Sequence, residues 1–373
     1  RLGKMETASA AASAAAEARG EGGARSANEL KLEEATRLYR LSKIREAYQI
    51  VESMTPSSSK PEGKEHAMAA EIKAKYAELV RTRALLDDAS GWETVVDNYN
   101  GVSTFHRSEE DTPIHSLKVI GIIEAPVQHL LSLVIEADLI PTFINFIKIE
   151  VEQLRVMSVY HQLIYQKVPL PWPLSTRDIV VEAQGFDELE HHGDLVITGK
   201  SVSKYEDVKI PKVANGSTRL EVHLAGGRIR PITMNKVEVT VVANVDFQMY
   251  LPNAVINWLS KTLAYYAFVQ FRAKAASTSG NGAHYERVKE KKEVYAQVME
   301  PVIHFLAKKE KESQAAEKKS STNEDSSVTK TSEANTNKGG GEPNNESKSP
   351  AVAQAESLEG VIENKQALHM STT

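Results

Sequence analysis

Few side chains have the types and spacing needed for acid–base chemistry, and the densest group is His191, His192 and Asp194. A catalytic acid–base pair requires two titratable groups that converge on one substrate. Neighbouring residues of a strand point to opposite faces, and the surrounding letters LEHHGD predict a turn. A metal site would need further convergent ligands that the sequence does not identify. We therefore expect no catalytic residue, no metal and no cofactor.

Composition narrows the remaining classes of function. The 373 residues have a formal net charge of −5 and are 41% hydrophobic and 25% charged, which is ordinary for a globular chain. Because basic and aromatic residues are not interleaved, no nucleic-acid partner is expected. The chain has no cysteine, which excludes disulfides and thiolate nucleophiles. No apolar run approaches the roughly 20 residues of a membrane-spanning helix, and a cytoplasmic location is the expectation.

A rigid corner at residues 168–181, VPLPWPLSTRDIVV, is the most unusual stretch. Proline restricts the backbone, and Trp172 between two prolines presents an apolar ring with one polar tip. Arg177 and Asp178 then open an apolar run. A charged pair at the start of a strand predicts hydrogen bonds and an ion pair that fix the turn, without a chemical role.

The parts of the chain outside the central region are helical or of low complexity. Residues 1–28 are predicted to be disordered, and residues 29–88 to form an α-helical hairpin because apolar residues recur at three- and four-residue spacing. Residues 55–64, TPSSSKPEGK, separate its two helices. Residues 277–311 predict a charged amphipathic C-terminal helix with a kink at Pro301, and residues 312–373 a disordered low-complexity tail.

Residues 89–276 have the pattern of an antiparallel sheet. The segment KVEVTVVANVDFQMY at 236–250 alternates apolar and polar residues, which is typical of a strand with one buried face. Pro252 then opens a long helix. A single sheet with many strands curls strongly, so a helix across its concave side would leave a tunnel. Further strands are predicted near 101–107, 115–123, 147–157, 158–168, 178–188, 194–204 and 219–231.

Three motifs in this region resemble those of the START (steroidogenic acute regulatory protein-related lipid transfer) domain family. GWETVVDNYNGVSTFHR at 91–107 is similar to the start of that domain, and PLPWPLSTRDIVVEA at 169–183 resembles its Pro-x-Ser-x-Arg-Asp segment. YLPNAVINWLSKTLAYYA at 250–267 looks like its closing helix. The motifs occur in the family's order and extend from about Trp92 to Ala273.

The resemblance implies an α+β helix-grip fold, in which a curved antiparallel β-sheet is closed by a long C-terminal α-helix around a hydrophobic tunnel. It also implies a lipid-binding or lipid-transfer protein that holds one sterol, phospholipid or similar lipid and exchanges it at membrane surfaces, without catalysis. Two alternatives stay open. One is a lipid-sensing adaptor that recruits a protein partner through residues 29–88, and the other is an enzyme of the broader helix-grip group.

The resemblance also assigns roles to residues. The loop at 168–176 would lie at the tunnel entrance, where Val168, Leu170 and Trp172 would dock on a membrane, since such rings favour the membrane–water interface. The alternative is that Trp172 packs back onto the closing helix.

Alternation along the strands and the closing helix predicts the residues that contact the lipid. On the strand VMSVYHQLIYQKV the inward face is ambiguous, because apolar residues occur on both faces. In one alternative, His161 and every second residue on either side of it face the tunnel. In the other, Tyr160 and Ile164 face it. The predicted lipid-binding residues are Met157, Val159, His161, Leu163, Tyr165, Val239, Val241, Val245, Phe247, Val255, Leu259, Leu263 and Tyr266.

Overall fold

The structure is a computed structural model that describes residues 27–54, 64–109, 112–170, 174–277 and 282–324. In the range 64–109, side chains are described from residue 66 onward. In the range 282–324, they are described up to residue 315. The sequence-based predictions for residues 1–26, for Trp172 and for residues 325–373 lie outside the described residues.

Among the described residues, three helices precede the sheet, namely α1 (Ala27–Arg40), α2 (Ile44–Glu52) and α3 (Lys64–Asp87). The sequence predicts two helices here, and the difference is a break between α1 and α2. Ser42 has a φ of 69°, which a right-handed helix cannot contain. The Ser42 hydroxyl donates to the carbonyl of Gly185 in the sheet, so a tertiary contact fixes the break.

In the described part of the chain, ten strands form one open sheet in the order β1-β2-β3-β10-β9-β7-β6-β5-β4, with β8 beside β6. Every neighbouring pair is antiparallel except β6 and β8. The expected combination of an antiparallel sheet with a long C-terminal helix is confirmed. The strands are β1 (Glu93–Tyr99), β2 (Val102–Ser108), β3 (Ile114–Ile123), β4 (Glu150–Ser158), β5 (His161–Val168), β6 (Thr176–Glu188), β7 (Asp194–Ser201), β8 (Ser217–Arg219), β9 (Glu221–Thr233) and β10 (Lys236–Asp246).

The two faces of the sheet follow from the register of its central strands. Val241 of β10 lies opposite Val119 of β3, and residues that pair across strands have side chains on the same face. We call this face the inner face, and it carries the odd-numbered residues of β3 and β10. The even-numbered residues, such as Thr240 and Val242, lie on the outer face.

The remaining helices lie between or after the strands. α4 (Val127–Ile135) and a 3₁₀ helix (Ala137–Thr142) connect β3 to β4, and α5 (Leu189–His192) joins β6 to β7. The closing helix comprises α6 (Asn253–Asn257), a π-helical segment (Trp258–Ala264) and α7 (Tyr265–Ser277).

The last part of the described chain forms two helices, α8 (Ala283–Glu290) and α9 (Lys292–Glu324). The sequence predicts one helix that is kinked at Pro301 and ends near residue 311. The break occurs instead at Lys291, and Pro301 lies inside α9.

The outer face is covered by α1–α3 through a continuous apolar core and buried ion pairs. Lys75 of α3 is 2.7 Å from Glu182 of β6, and Arg83 is 2.8 Å from Asp194 of β7. Both carboxylates are buried, so each charge removed from water has a partner. The buried apolar residues of this core are Leu32, Ala35, Tyr39, Ile44, Ala47, Val51, Ile72, Leu79, Leu86, Phe186, Val196 and Val242.

The closing helix approaches the inner face at a glycine. A Cβ on Gly121 of β3 would lie 2.6 Å from the ring of Phe268 in α7. The absent side chain therefore allows the helix to lie close to the sheet, and Phe268 is itself buried in the apolar core of the inner side.

We expect Gly121→Ala to lower the free energy of unfolding by about 1–3 kcal/mol, because the added methyl group overlaps a buried ring. Gly185→Ala is a matched control on β6, since its Cβ would meet nothing closer than 3.9 Å. Denaturant unfolding of both variants checks this expectation. Equal stability of the two variants would contradict the close approach of the helix.

Candidate functional site

A cavity of about 440 Å³ lies between the inner face and the helices that cover it. Strands β3, β7, β9 and β10 form one wall, and α4, the 3₁₀ helix, α7 and their flanking residues form the other. Every described residue that lines this central cavity is apolar or glycine: Leu117, Val119, Leu130, Leu133, Val134, Ile140, Phe143, Ile144, Ile197, Gly227, Ile229, Val239, Val241, Ala243, Ala264, Ala267, Phe268 and Phe271.

Val241 shows that this space is a real void between packed layers. It lies on β10, between β3 and β9 in the middle of the sheet, yet 45% of its surface is accessible. Its neighbour Val242 on the outer face is completely buried against α1–α3. The outer face is therefore filled, while the inner face borders an open volume.

The structure places the predicted lipid-binding residues of β10 and the closing helix in two groups. Val239 and Val241 line the central cavity. Beyond it, a cluster that we call the end cluster packs the first turns of the closing helix against the 168–176 corner. It includes Val245, Phe247, Val255, Leu259 and Leu263 from the predicted set, together with Leu170 and Leu174. The remaining predicted helix residue, Tyr266, is half-buried beside the core of the inner side.

On β5 the structure resolves the choice that the sequence leaves open. Gln162 and Ile164 face the interior, and Tyr160 lies there with them. His161 and Tyr165 have partners elsewhere, since the His161 ring is 2.8 Å from Glu182 and the Tyr165 hydroxyl donates to Asp178.

A turn explains why the alternation could not be followed through this segment. β4 ends at Ser158 and β5 begins at His161, so the period of two is interrupted at Val159 and Tyr160. Leu163 is fully buried on the same face of β5 as His161, Met157 is half-buried on β4, and Val159 lines a smaller cavity described next.

A second cavity of about 100 Å³ continues from the central one, with which it shares Val134, Ile197 and Ile229 as walls. It also contacts Pro301 of α9 and Leu41 at the break between α1 and α2. A surface cleft of about 360 Å³ shares Leu41 and Pro301 with it. Sequence reasoning did not assign this end of the interior, although the apolar stripe of the last helix was a signal for it.

α9 is held over this end by a buried carboxylate at the end of α4. Glu136 is 1% exposed and accepts hydrogen bonds from Arg287 at 2.6 Å, Lys291 at 2.9 Å and the Tyr295 hydroxyl at 2.9 Å. Burial, reinforced by the Glu136 carboxylate, raises the pKa of Tyr295, which therefore remains a neutral donor. The apolar side chains of Val298 and Val302 complete the contact.

At the opposite end, the charged pair of the corner has separate partners. Asp178 is completely buried and pairs with Arg219 of β8 at 2.8 Å. Arg177 donates to the Ser175 carbonyl at 2.7 Å. Val168, at the end of β5, pairs with Arg177 in the sheet register.

The group of His191, His192 and Asp194 makes structural contacts. Asp194 accepts from Arg83, His192 lies 3.5 Å from Glu188, and His191 lies 3.3 Å from Glu46. These three side chains therefore point to three different partners.

One arrangement in the described part of the chain has metal-ligand geometry, namely Glu221, His223 and Asp246, each with a ligand atom within 4.8 Å of the others. Two of these three residues are exposed, and none lines the central cavity. None of the helices in the described ranges is long and apolar enough to cross a membrane.

An antiparallel sheet gripped by a C-terminal helix around an apolar cavity defines a helix-grip protein with an interior suited to a hydrophobic ligand. The family model of the START domain matches residues 71–278, which is more than half of the chain, and the chain belongs to this family. Membership implies a lipid ligand and supports a role in lipid binding or transfer. Helices α1, α2, α8 and α9 lie outside the match.

The chain is also similar to several solved structures, but at low sequence identity. Human STARD10 is 21% identical with a TM-score of 0.44, covering 52% of this chain and 77% of that one. Human StAR-related lipid transfer protein 5 is 19% identical with a TM-score of 0.43, covering 56% and 95%. The Zhui aromatase/cyclase from Streptomyces sp. R1128 is 10% identical with a TM-score of 0.29, covering 43% and 91%. No curated protein matches the chain.

We expect Glu136→Ala to lower the free energy of unfolding by about 2–3 kcal/mol, because it leaves the Tyr295 hydroxyl and the Lys291 ammonium without their carboxylate, while Arg287 keeps only Asp138. Glu190→Ala removes the exposed ion pair with Lys308, which lies on α9 like Tyr295. This substitution should change the free energy of unfolding little. Denaturant unfolding measures both. Similar effects of the two substitutions would contradict an anchoring role for Glu136.

Buried histidines predict loss of stability in mild acid. Burial lowers the pKa of His106, His115 and His284 below the ordinary value of 6.5. Below about pH 6.5 the unfolded chain therefore binds protons that the folded chain does not, and stability falls as the pH falls. We expect the melting temperature to drop between about pH 7.5 and pH 5.5.

His284→Leu should reduce that drop, because His284 is fully buried and neither ring nitrogen has a hydrogen-bond partner of normal geometry. The same slope in His284→Leu and the natural chain would exclude His284 as a cause.

Proposed function

We propose that this protein holds one lipid in the central cavity and exchanges it at membrane surfaces. The supporting observation is the void beside Val241 in the middle of the sheet, bounded by described residues that are all apolar or glycine. Transfer of an acyl chain through water costs about 0.8 kcal/mol per CH₂ group. A dry apolar interior removes that cost, so extraction from a bilayer becomes nearly neutral for the hydrocarbon part.

Docking is proposed at the end of the molecule that carries the 168–176 corner. Val168 and Leu170 precede Trp172 in the sequence, and Tyr250, just before the closing helix, is 69% exposed. Aromatic side chains of this kind favour the membrane–water interface. Because Leu170 and Leu174 pack with the first turns of the closing helix, the corner and the helix would move together when the cavity opens. A cytoplasmic, membrane-peripheral location fits this cycle.

The apolar lining of the central cavity favours a carrier over an enzyme. No described residue of the central cavity has a titratable side chain, so acid–base catalysis would have no group beside the bound lipid. A lipid-sensing adaptor remains the second candidate. A protein partner at residues 29–88 would bind the outward side of these helices, where Leu30 and Val80 are exposed.

Filling the cavity tests lipid binding directly. We expect Val241→Trp to reduce the lipid-bound fraction about tenfold, because the indole occupies the space that the lipid needs. Val213→Trp is a matched control, since Val213 is also 45% exposed but lies in the loop between β7 and β8. Native mass spectrometry after incubation with liposomes measures bound lipid, and vesicle-to-vesicle transfer measures exchange.

The two readouts separate the candidates. Lipid binding with transfer supports the carrier, and binding without transfer supports the adaptor. Absence of bound lipid in both the natural chain and Val213→Trp would overturn the proposal.

A further inference from the structure

We propose that the α9 end of the molecule holds a second ligand site, in which Asp187 binds the ammonium group of a long-chain primary amine. The site consists of the second cavity and the surface cleft. Its walls include residues of α9 and of the break between α1 and α2, which are outside the family match. The inference goes beyond the proposed lipid exchange, and either can fail without the other.

The second cavity and the surface cleft meet at a junction. An apolar cavity of about 150 Å³ can hold a benzene ring, so the second cavity, with about 100 Å³, can take a short stretch of alkyl chain. A longer chain has further room, because three apolar residues line both this cavity and the central one. The residues that line both the second cavity and the cleft are Leu41, Tyr160, Asp187 and Pro301.

Asp187 gives this site an amphipathic character. It lies on β6 opposite Leu195 of β7, two residues beyond the pair of Gly185 and Ile197, so its side chain is on the inner face. Among the described residues that line the second cavity, Asp187 is the only one with a charged side chain. A single carboxylate therefore lies where the apolar interior meets the cleft and the water in it.

No cation in the described part of the chain forms an ion pair with Asp187. Its carboxylate accepts one hydrogen bond, from the backbone N–H of Leu189 at 3.1 Å. Lys43 also lines the cleft and attracts this carboxylate, but beyond the distance of an ion pair. Burial raises the pKa of Asp187, because the water that the carboxylate loses is not fully replaced by partners. A bound cation would supply the missing partner.

A primary ammonium group has the hydrogen-bonding chemistry that the junction needs. It offers three N–H donors and no acceptor, whereas the ionised Asp187 carboxylate can only accept. The Tyr160 hydroxyl provides a further acceptor, since it has no hydrogen-bond partner among the described residues. Burial raises the pKa of Tyr160 to about 12, so this hydroxyl is neutral at physiological pH. The junction thus presents a carboxylate and a phenol oxygen to one donor group.

The charge of the cleft favours a cation over an anion. Three carboxylates line it, from Asp187, Glu190 and Glu300, against Lys43 and the exposed His304. Glu190 is already paired with Lys308 at 2.7 Å, which leaves the other two carboxylates to attract a ligand. A carboxylate or phosphate head group would meet like charges there. An ammonium group can remain partly hydrated in the cleft while its chain is buried.

The head group is tested with decylamine, decanol and decanoate, which share the length of their carbon chain. Each is titrated into the natural chain at pH 7, below its micelle concentration, and isothermal titration calorimetry measures the dissociation constant. We expect decylamine to bind about tenfold more tightly than decanol, the ratio that one charge-assisted hydrogen bond gives, and decanoate to bind most weakly. Decylamine that binds no more tightly than decanol would overturn the inference.

The role of Asp187 is tested with Asp187→Asn, which removes the charge and keeps an oxygen that can accept from the N–H of Leu189. We expect this variant to bind decylamine and decanol about equally. Glu190→Gln is the matched control, because it removes a carboxylate of the same cleft that Lys308 already holds. It should keep the tenfold preference for decylamine. An unchanged preference in Asp187→Asn, or an equal loss in both variants, would exclude Asp187 as the ammonium site.

The position of the ligand is tested in the natural chain, so that the question is decided even if Asp187→Asn fails to fold. A decylamine analogue with a diazirine close to the amino group is photolysed in the complex, and mass spectrometry identifies the labelled residues. We expect labels on Leu41, Tyr160 or Pro301 at the junction. Labels confined to Val239 and Val241 of the central cavity, or spread over the surface, would overturn the inference and leave the proposed lipid exchange standing.

Discussion

The rest of the structure depends on leaving the inner face of the sheet unfilled. Unfilled core volume costs about 24 cal/mol per Å³, so about 440 Å³ corresponds to about 10 kcal/mol of packing that is not made. That is comparable to the whole stability of a typical domain. Apolar contacts elsewhere must offset this loss, and a ligand that fills the cavity would restore much of it. Binding and stability are therefore linked in this fold.

The compensation is visible on the outer face and at the α9 end. On the outer face, Val196 and Val242 are completely buried against α1–α3. Its buried carboxylates are paired, as Glu182 with Lys75 illustrates. α9 adds apolar contacts through Val302 to the same core that borders the cavity. Helices α1, α2 and α9, which lie outside the family match, thus add apolar contacts to the walls of the hollow.

The sequence predicted what depends on local periodicity and missed what depends on distant contacts. β10 was predicted as a strand because its sequence largely alternates between apolar and polar residues, and Val239 and Val241 border the central cavity. β5 was ambiguous because it is apolar on both faces and follows a turn. The break at Ser42 is fixed by a contact with Gly185, 143 residues away. β1 and β8 were not predicted, since neither β1 (ETVVDNY) nor the three-residue β8 has a clear alternation.

The two ends of the interior differ in how costly they are to open. At the α9 end, opening would separate Glu136 from Arg287, Lys291 and Tyr295, which exposes a buried carboxylate and its partners. At the corner end, the end cluster is held by apolar side chains such as Leu170, Phe247 and Leu259. Apolar contacts lose little when the same surfaces meet lipid tails, because hydrocarbon provides no hydrophobic driving force for keeping them together. A bilayer would therefore lower the cost of opening at the corner and leave the cost at α9 almost unchanged.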